Sequence, residues 1–134
     1  MKKDLPENIV EDVAITVVLM SETPEQASWS VYLVNYKKEK LENVLVSSKG
    51  YGEKDGKKVK TSVLRHSLRD VEPMSYVVIE AIDPAVFGLT NEYLLSFYIN
   101  GTIYDKKFIF LPESIIDVNI MHIPLLNKPG VMIK

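Results

Sequence analysis

The sequence predicts an all-β protein, an antiparallel sandwich of about seven to eight strands, and three observations carry that prediction. Apolar and polar residues alternate along most of the chain, which is the period of a half-buried strand rather than a helix. Asn100-Gly101 and Asp55-Gly56 are each flanked by such alternation, and these dipeptides readily supply positive φ at both positions of a two-residue hairpin turn. Turn-forming residues recur at roughly the spacing of a sandwich. A closed barrel of eight strands is the alternative arrangement.

Val13, Ile15, Val17 and Leu19 share one face of a first strand, and Trp29, Val31 and Leu33 one face of a second. Residues 21–26 between them read as a turn, with one helical turn capped by Thr23, Pro24 at its first position and Gln26 reaching back. Asp55-Gly56 joins a strand from about Leu41 to Gly52 with one from about Lys57 to His66. Gly50 and Gly52, around Tyr51, indicate a bulge or bend. After a turn at Asp70-Val71-Glu72-Pro73, a strand covers about Ser75 to Ile82. Asp83, Pro84 and Gly88 then supply the cap, first residue and terminator of one short helical turn.

The Asn100-Gly101 hairpin fixes its own register. Ile99 faces Thr102, Phe97 faces Tyr104, Leu95 faces Lys106 and Tyr93 faces Phe108, and a one-residue slip would exchange this face with the mixed one that carries Ser96, Asp105 and Lys107 with Leu94, Tyr98 and Ile103. Residues 112–121 carry both a helical and a strand pattern, and an eighth extended segment is the preferred reading. Pro124 and Pro129 restrict the tail to irregular or edge structure. The Ile-, Leu- and Met-rich region 115–133 either covers an open end of the sandwich or docks against another subunit.

Within the sandwich class the immunoglobulin-like type is favoured. Trp29 is the candidate central aromatic, and Tyr93 the candidate corner tyrosine at the start of a late strand. No repeat, low-complexity run or linker divides the chain, so residues 1–134 read as one domain.

Composition excludes several chemistries. The 134 residues contain no cysteine, which removes disulfide scaffolds, thiolate metal sites and thiol catalysis, and only His66 and His122 supply imidazole. No Gly-x-Ser-x-Gly elbow, phosphate-cradling glycine loop or calcium loop is present, and the pairs Glu11-Asp12 and Asp70-x-Glu72 read as solvated charge. Catalytic, cofactor-binding and metal-ligating residues are therefore all read as none. No apolar stretch approaches the span of a bilayer, and acidic residues follow Lys2-Lys3 where a signal peptide would be apolar, so the chain reads as cytoplasmic.

Charge distribution is the most informative functional signal. The formal charge of -2 hides a segment, 37–60, with eight lysines against four carboxylates, leaving a six-charge acidic excess elsewhere. Tyr36, Lys37, Lys38, Tyr51, Lys54, Lys57, Lys58 and Lys60 are thus the candidate residues for an anionic partner, nucleic acid included. Arginine is confined to Arg65 and Arg69, no recognition helix is visible, and lysines at hairpin tips also block edge pairing.

The stretches 29–33, 41–52, 58–66 and 104–112 resemble a family of short uncharacterised bacterial proteins, over nearly the whole chain. Some members carry the label of a phenylalanyl-tRNA synthetase alpha subunit. That subunit is much longer and holds ATP with motif arginines that no residue here matches, so the resemblance implies no catalytic residue. The leading expectation is a non-enzymatic module that binds a protein partner or self-associates through an exposed sheet or the tail. Electrostatic binding through the 37–60 hairpin is the second expectation, and a small enzyme whose pocket joins His66 to a carboxylate such as Asp70 or Glu72 is the third.

Overall fold

The computed structural model describes residues 8–23 and 26–134. Ten strands among them form two antiparallel five-stranded sheets packed against each other. They are β1 (Val13–Thr23), β2 (Gln26–Asn35), β3 (Leu41–Lys54), β4 (Lys57–Lys60), β5 (Leu64–Val71), β6 (Ser75–Ile82), β7 (Thr90–Ile99), β8 (Thr102–Phe110), β9 (Met121–Ile123) and β10 (Lys128–Ile133). One sheet has the order β6-β2-β1-β10-β9. In the other, β3, β7 and β8 lie side by side, and β4 and β5 both pair with β3. Neither sheet closes on itself, so the barrel alternative is not adopted.

The main core lies between the sheets. Val13, Ile15 and Val17 meet Val31 and Leu33 on one side and Val44, Val46, Tyr93, Leu95, Phe97, Phe108 and Phe110 on the other. The β7–β8 hairpin has the register that the alternation predicts, from Tyr93↔Phe108 to Ile99↔Thr102. Asn100 and Gly101 have φ 49° and 78°, and Asp55 and Gly56 have φ 55° and 76°, so both turns use the left-handed conformations their residues favour.

Four local expectations are corrected. Strands β1 and β2 run to the Thr23↔Gln26 pair, so these two residues are extended rather than helical, while the rest of that turn, 24–25, lies outside the described residues. The strand expected over Lys57–His66 is broken at 61–63. The register against β3 shifts there, from Tyr51↔Lys60 to Ser48↔Leu64, and this irregularity lies opposite Gly50. Of the extended segment expected over residues 112–121, only Met121 lies in a strand, as the first residue of β9, and residues 112–120 are not strand. They make a turn and a single 3-10 turn at Asp117–Asn119, held by Ser114 Oγ on the Leu111 carbonyl and Asn119 Nδ2 on the Ser114 carbonyl. Trp29 is only half-buried and packs edge-on against Phe87, while the fully buried aromatics are Tyr93, Phe97, Phe108 and Phe110.

The tail is the largest departure from the sequence pattern. β10 is an internal strand between β1 and β9, not an edge. Pro129 fits because it pairs with His122 of β9 before the β10–β1 ladder begins at Gly130↔Val18. Ile123 and Leu126 cover the outer face of β1 and β2, forming a second apolar cluster with Val18 and Val34. This cover explains why six consecutive residues, Val13 to Val18, are buried although a strand alternates. The 3-10 turn Pro84–Val86 forms as expected, with the Asp83 carboxylate accepting from the Ala85 amide.

Candidate functional site

The strongest polar constellation lies at the edge where β5 meets β6. Val31↔Glu80 is followed by Tyr32↔Val78, so three residues of β6 oppose two of β2. This bulge breaks the alternation and turns two consecutive side chains inward, Ile79 into the core and Glu80 toward the opposite sheet. A bulge re-aims a side chain in this way without ending the strand.

Glu80 accepts from three neighbours on the other sheet. Ser48 Oγ lies 2.7 Å from Oε1, His66 Nε2 lies 2.7 Å from the same oxygen, and Tyr93 Oη lies 3.0 Å from Oε2. β3, β5 and β7 each contribute one partner, so one carboxylate ties three strands of the facing sheet to β6. Burial pushes the Tyr93 phenol far above the ordinary tyrosine value, and the charge of Glu80 together with its hydrogen bond pushes the same way. Tyr93 is buried as a corner tyrosine would be. Its hydroxyl, however, bonds to a carboxylate on another strand rather than to nearby backbone.

The carboxylate that His66 meets is neither of the two examples suggested by the sequence. His66 pairs with Glu80, whereas Asp70 accepts from the Asn43 amide and lies 3.8 Å from Lys40 Nζ. Ser48 spends its proton on Glu80 and not on an imidazole nitrogen, so the cluster lacks the hydroxyl–imidazole contact of an activated nucleophile. His122 lies on the surface, 3.1 Å from Asn127 Oδ1. Among the described residues no group of three or more His, Asp or Glu side chains could hold a metal ion. No helix among them is long and apolar enough to cross a membrane.

The lysine-rich segment is divided by the fold. Lys37 and Lys38 precede β3, whereas Tyr51, Lys54, Lys57, Lys58 and Lys60 lie at its far end, with β3 spanning roughly 40 Å at a strand's rise per residue. Tyr36 is not an open stacking surface. Its hydroxyl donates to the Pro124 carbonyl at 2.8 Å, the Lys134 ammonium lies 5.5 Å from its ring centre, and burial raises its phenol pKa. Lys37 lies 3.8 Å from Glu39 and also donates to the Glu11 carbonyl. At the hairpin end, Tyr51, Lys58 and Lys60 line a shallow hollow of about 560 Å³. Lys49 stands 5.9 Å from the Tyr51 ring centre.

A third surface is the exposed sheet face, which the sequence reading named only in general. The outer face of β3, β7 and β8 exposes Leu45, Leu94, Tyr98, Ile103 and Ile109, with Leu94 45% and Leu45 53% accessible. Register places Leu94 across from Ser47, Leu45 from Ser96, and Tyr98 from Ile103, so these apolar groups are neighbours on one face. A hollow of about 650 Å³ is lined by Leu45, Leu94, Arg65 and Asp105. The legible signal was Leu94, Tyr98 and Ile103 on the mixed face of the hairpin. The chain matches no protein-family model and no curated protein sequence.

Proposed function

We propose that this chain is a non-enzymatic binding module whose interaction surface is the outer face of β3, β7 and β8, which engages a protein partner or a second copy of the chain. The observation that carries the reading is the run of exposed Leu45, Leu94, Tyr98 and Ile103 on a face that no other part of the described chain covers. Apolar groups rimmed by charges such as Arg65, Asp105 and Lys107 are the composition of a protein-binding patch. An immunoglobulin-like topology is supported by strand order. β1-β2-β6 follows the A-B-E order, and β3-β7-β8 the C-F-G order, with β4 and β5 where an added C′ strand lies. β9 and β10 then extend the first sheet beyond β1.

Light scattering coupled to gel filtration, together with capture of partners from the native lysate, tests the reading with Leu94→Lys and Tyr98→Lys. Loss of self-association or of a captured partner, with unfolding unchanged, supports it. A strictly monomeric wild type that captures nothing overturns it.

A second reading has its own observation, the clustering of Tyr51, Lys58 and Lys60 at the hairpin end. It assigns an anionic partner, such as nucleic acid, to that end. Salt-dependent oligonucleotide binding lost in Lys58→Gln/Lys60→Gln supports it, and a flat titration at low salt removes it.

A further inference from the structure

Between the break at 61–63 and the end of β6 the sandwich edge opens into a cavity of about 240 Å³, separate from the outer face described above. We propose that this cavity binds a primary alkylammonium group, carried either by a free amine or by a lysine side chain.

The polar lining combines the hydroxyls of Ser48, Thr61, Ser62 and Tyr93 and the Lys49 side chain with three side chains that carry acceptor oxygens, Glu80, Asp83 and Asn91. Glu80 enters by the β6 bulge, and Asp83 stands at the mouth with Oδ1 engaged by the Ala85 amide. Asn91 adds a neutral acceptor to this lining. It is 5% exposed, and its Nδ2 donates to the carbonyls of Val86 and Leu89 at 2.9 and 3.2 Å, which fixes the amide orientation. Its Oδ1 therefore faces away from those carbonyls, and it accepts no hydrogen bond from the described residues. Gly50, its cross-strand partner, packs tightly beside it, since a Cβ there would come within 3.2 Å of that oxygen and 3.1 Å of Thr61 Cγ2.

Cations of the protein do not fill this wall. Lys49 reaches the cavity rim, but its ammonium lies 3.6 Å from Glu92 Oε2 on the outer face. His66 meets Glu80 at Oε1, while Oε2 accepts only the Tyr93 hydroxyl among the described residues. A carboxylate holds two lone pairs on each oxygen, so Oε2 retains one site for a donor. An ammonium has three donors and no acceptor, which matches a wall of Glu80, Asp83 and Asn91 oxygens. Leu64, Ile82 and Val86 complete the lining and suit a methylene stem. The cavity opens to solvent, and at about 240 Å³ it has room for a four-carbon amine.

Titration of the whole chain with butylammonium at pH 7, followed by amide and Asn side-chain NMR shifts, tests the proposal. Saturable shifts at the Asn91 side-chain amide, Ser62 and Val86 are expected, with a dissociation constant on the order of millimolar for so small a ligand. The neutral isostere 1-butanol should bind at least about tenfold more weakly, as should butylammonium to Glu80→Gln and to Asp83→Asn. Asparagine is itself a good cap, so Asp83→Asn keeps the fold readable should Glu80→Gln unfold. Nα-acetyl-lysine methylamide separates the sources, since its binding alongside butylammonium assigns a lysine side chain, and binding of butylammonium alone assigns a free amine. Equal binding of 1-butanol, unchanged binding in both variants, or no saturable shift overturns the proposal.

Discussion

Replacing Tyr93 by Phe removes one hydroxyl from the Glu80 cluster and leaves the ring in the core. Tyr93 is 1% exposed, and its hydroxyl lies 3.0 Å from Glu80 Oε2, a bond to a charged group that contributes roughly 1.5–3 kcal/mol. Ser48 and His66 continue to satisfy Oε1, so Glu80 loses one donor and not its place. The Tyr93 pKa is raised in the fold, so its contribution is complete below the unfolded tyrosine value, about 10, and is lost as pH rises above it. Above that value the unfolded chain has released the proton and the native chain has not. Wild-type stability therefore falls by about 1.4 kcal/mol per pH unit from this group alone, while Tyr93→Phe lacks that slope. Urea unfolding followed by Trp29 fluorescence, from pH 7 to 12, should show a variant about 2 kcal/mol less stable at neutral pH. The gap should close by pH 12 as the wild type loses about 2.7 kcal/mol. Two curves that stay parallel from pH 8 to 12 would refute the assignment of a buried neutral phenol held by a carboxylate.

Gly130→Ala and Gly101→Ala separate packing from backbone strain. A Cβ at Gly130 would lie 2.6 Å from the Val17 carbonyl, so β10 must move off β1, at a cost of about 1–3 kcal/mol. At Gly101 nothing lies within 4 Å, and only the positive φ of 78° is penalised, by about 1–2 kcal/mol in urea unfolding. Removal of residues 124–134 should abolish cooperative unfolding in calorimetry rather than yield a smaller stable species. It deletes β10 and uncovers Val18 and Val34. Asn35→Ala should cost about 2–4 kcal/mol by chemical denaturation. The buried amide donates to the Glu39, Val71 and Glu72 carbonyls and accepts from the Lys37 amide, and its loss strands several of these groups.

The sequence by itself determined what is local. Two-residue turns at Asn100-Gly101 and Asp55-Gly56 follow from positive φ, and the alternation then sets the β7–β8 register and makes the sheets two-faced. The Asp83-Pro84 cap is equally local. What depends on non-local pairing was hidden. Pro124 and Pro129 obscured a β10 that inserts between β1 and β9, because a proline is tolerated where the ladder to one neighbour has not yet begun. The two lysine groups read as one segment because sequence distance is not spatial distance along a 14-residue strand. The Glu80 cluster was illegible for a sharper reason. Alternation alone leaves Glu80 without an assigned partner, and a bulge, set by how β6 pairs with β2, brings it to Ser48, His66 and Tyr93. Local residues choose turns and faces, whereas only the packed sheets decide which polar side chains share one carboxylate.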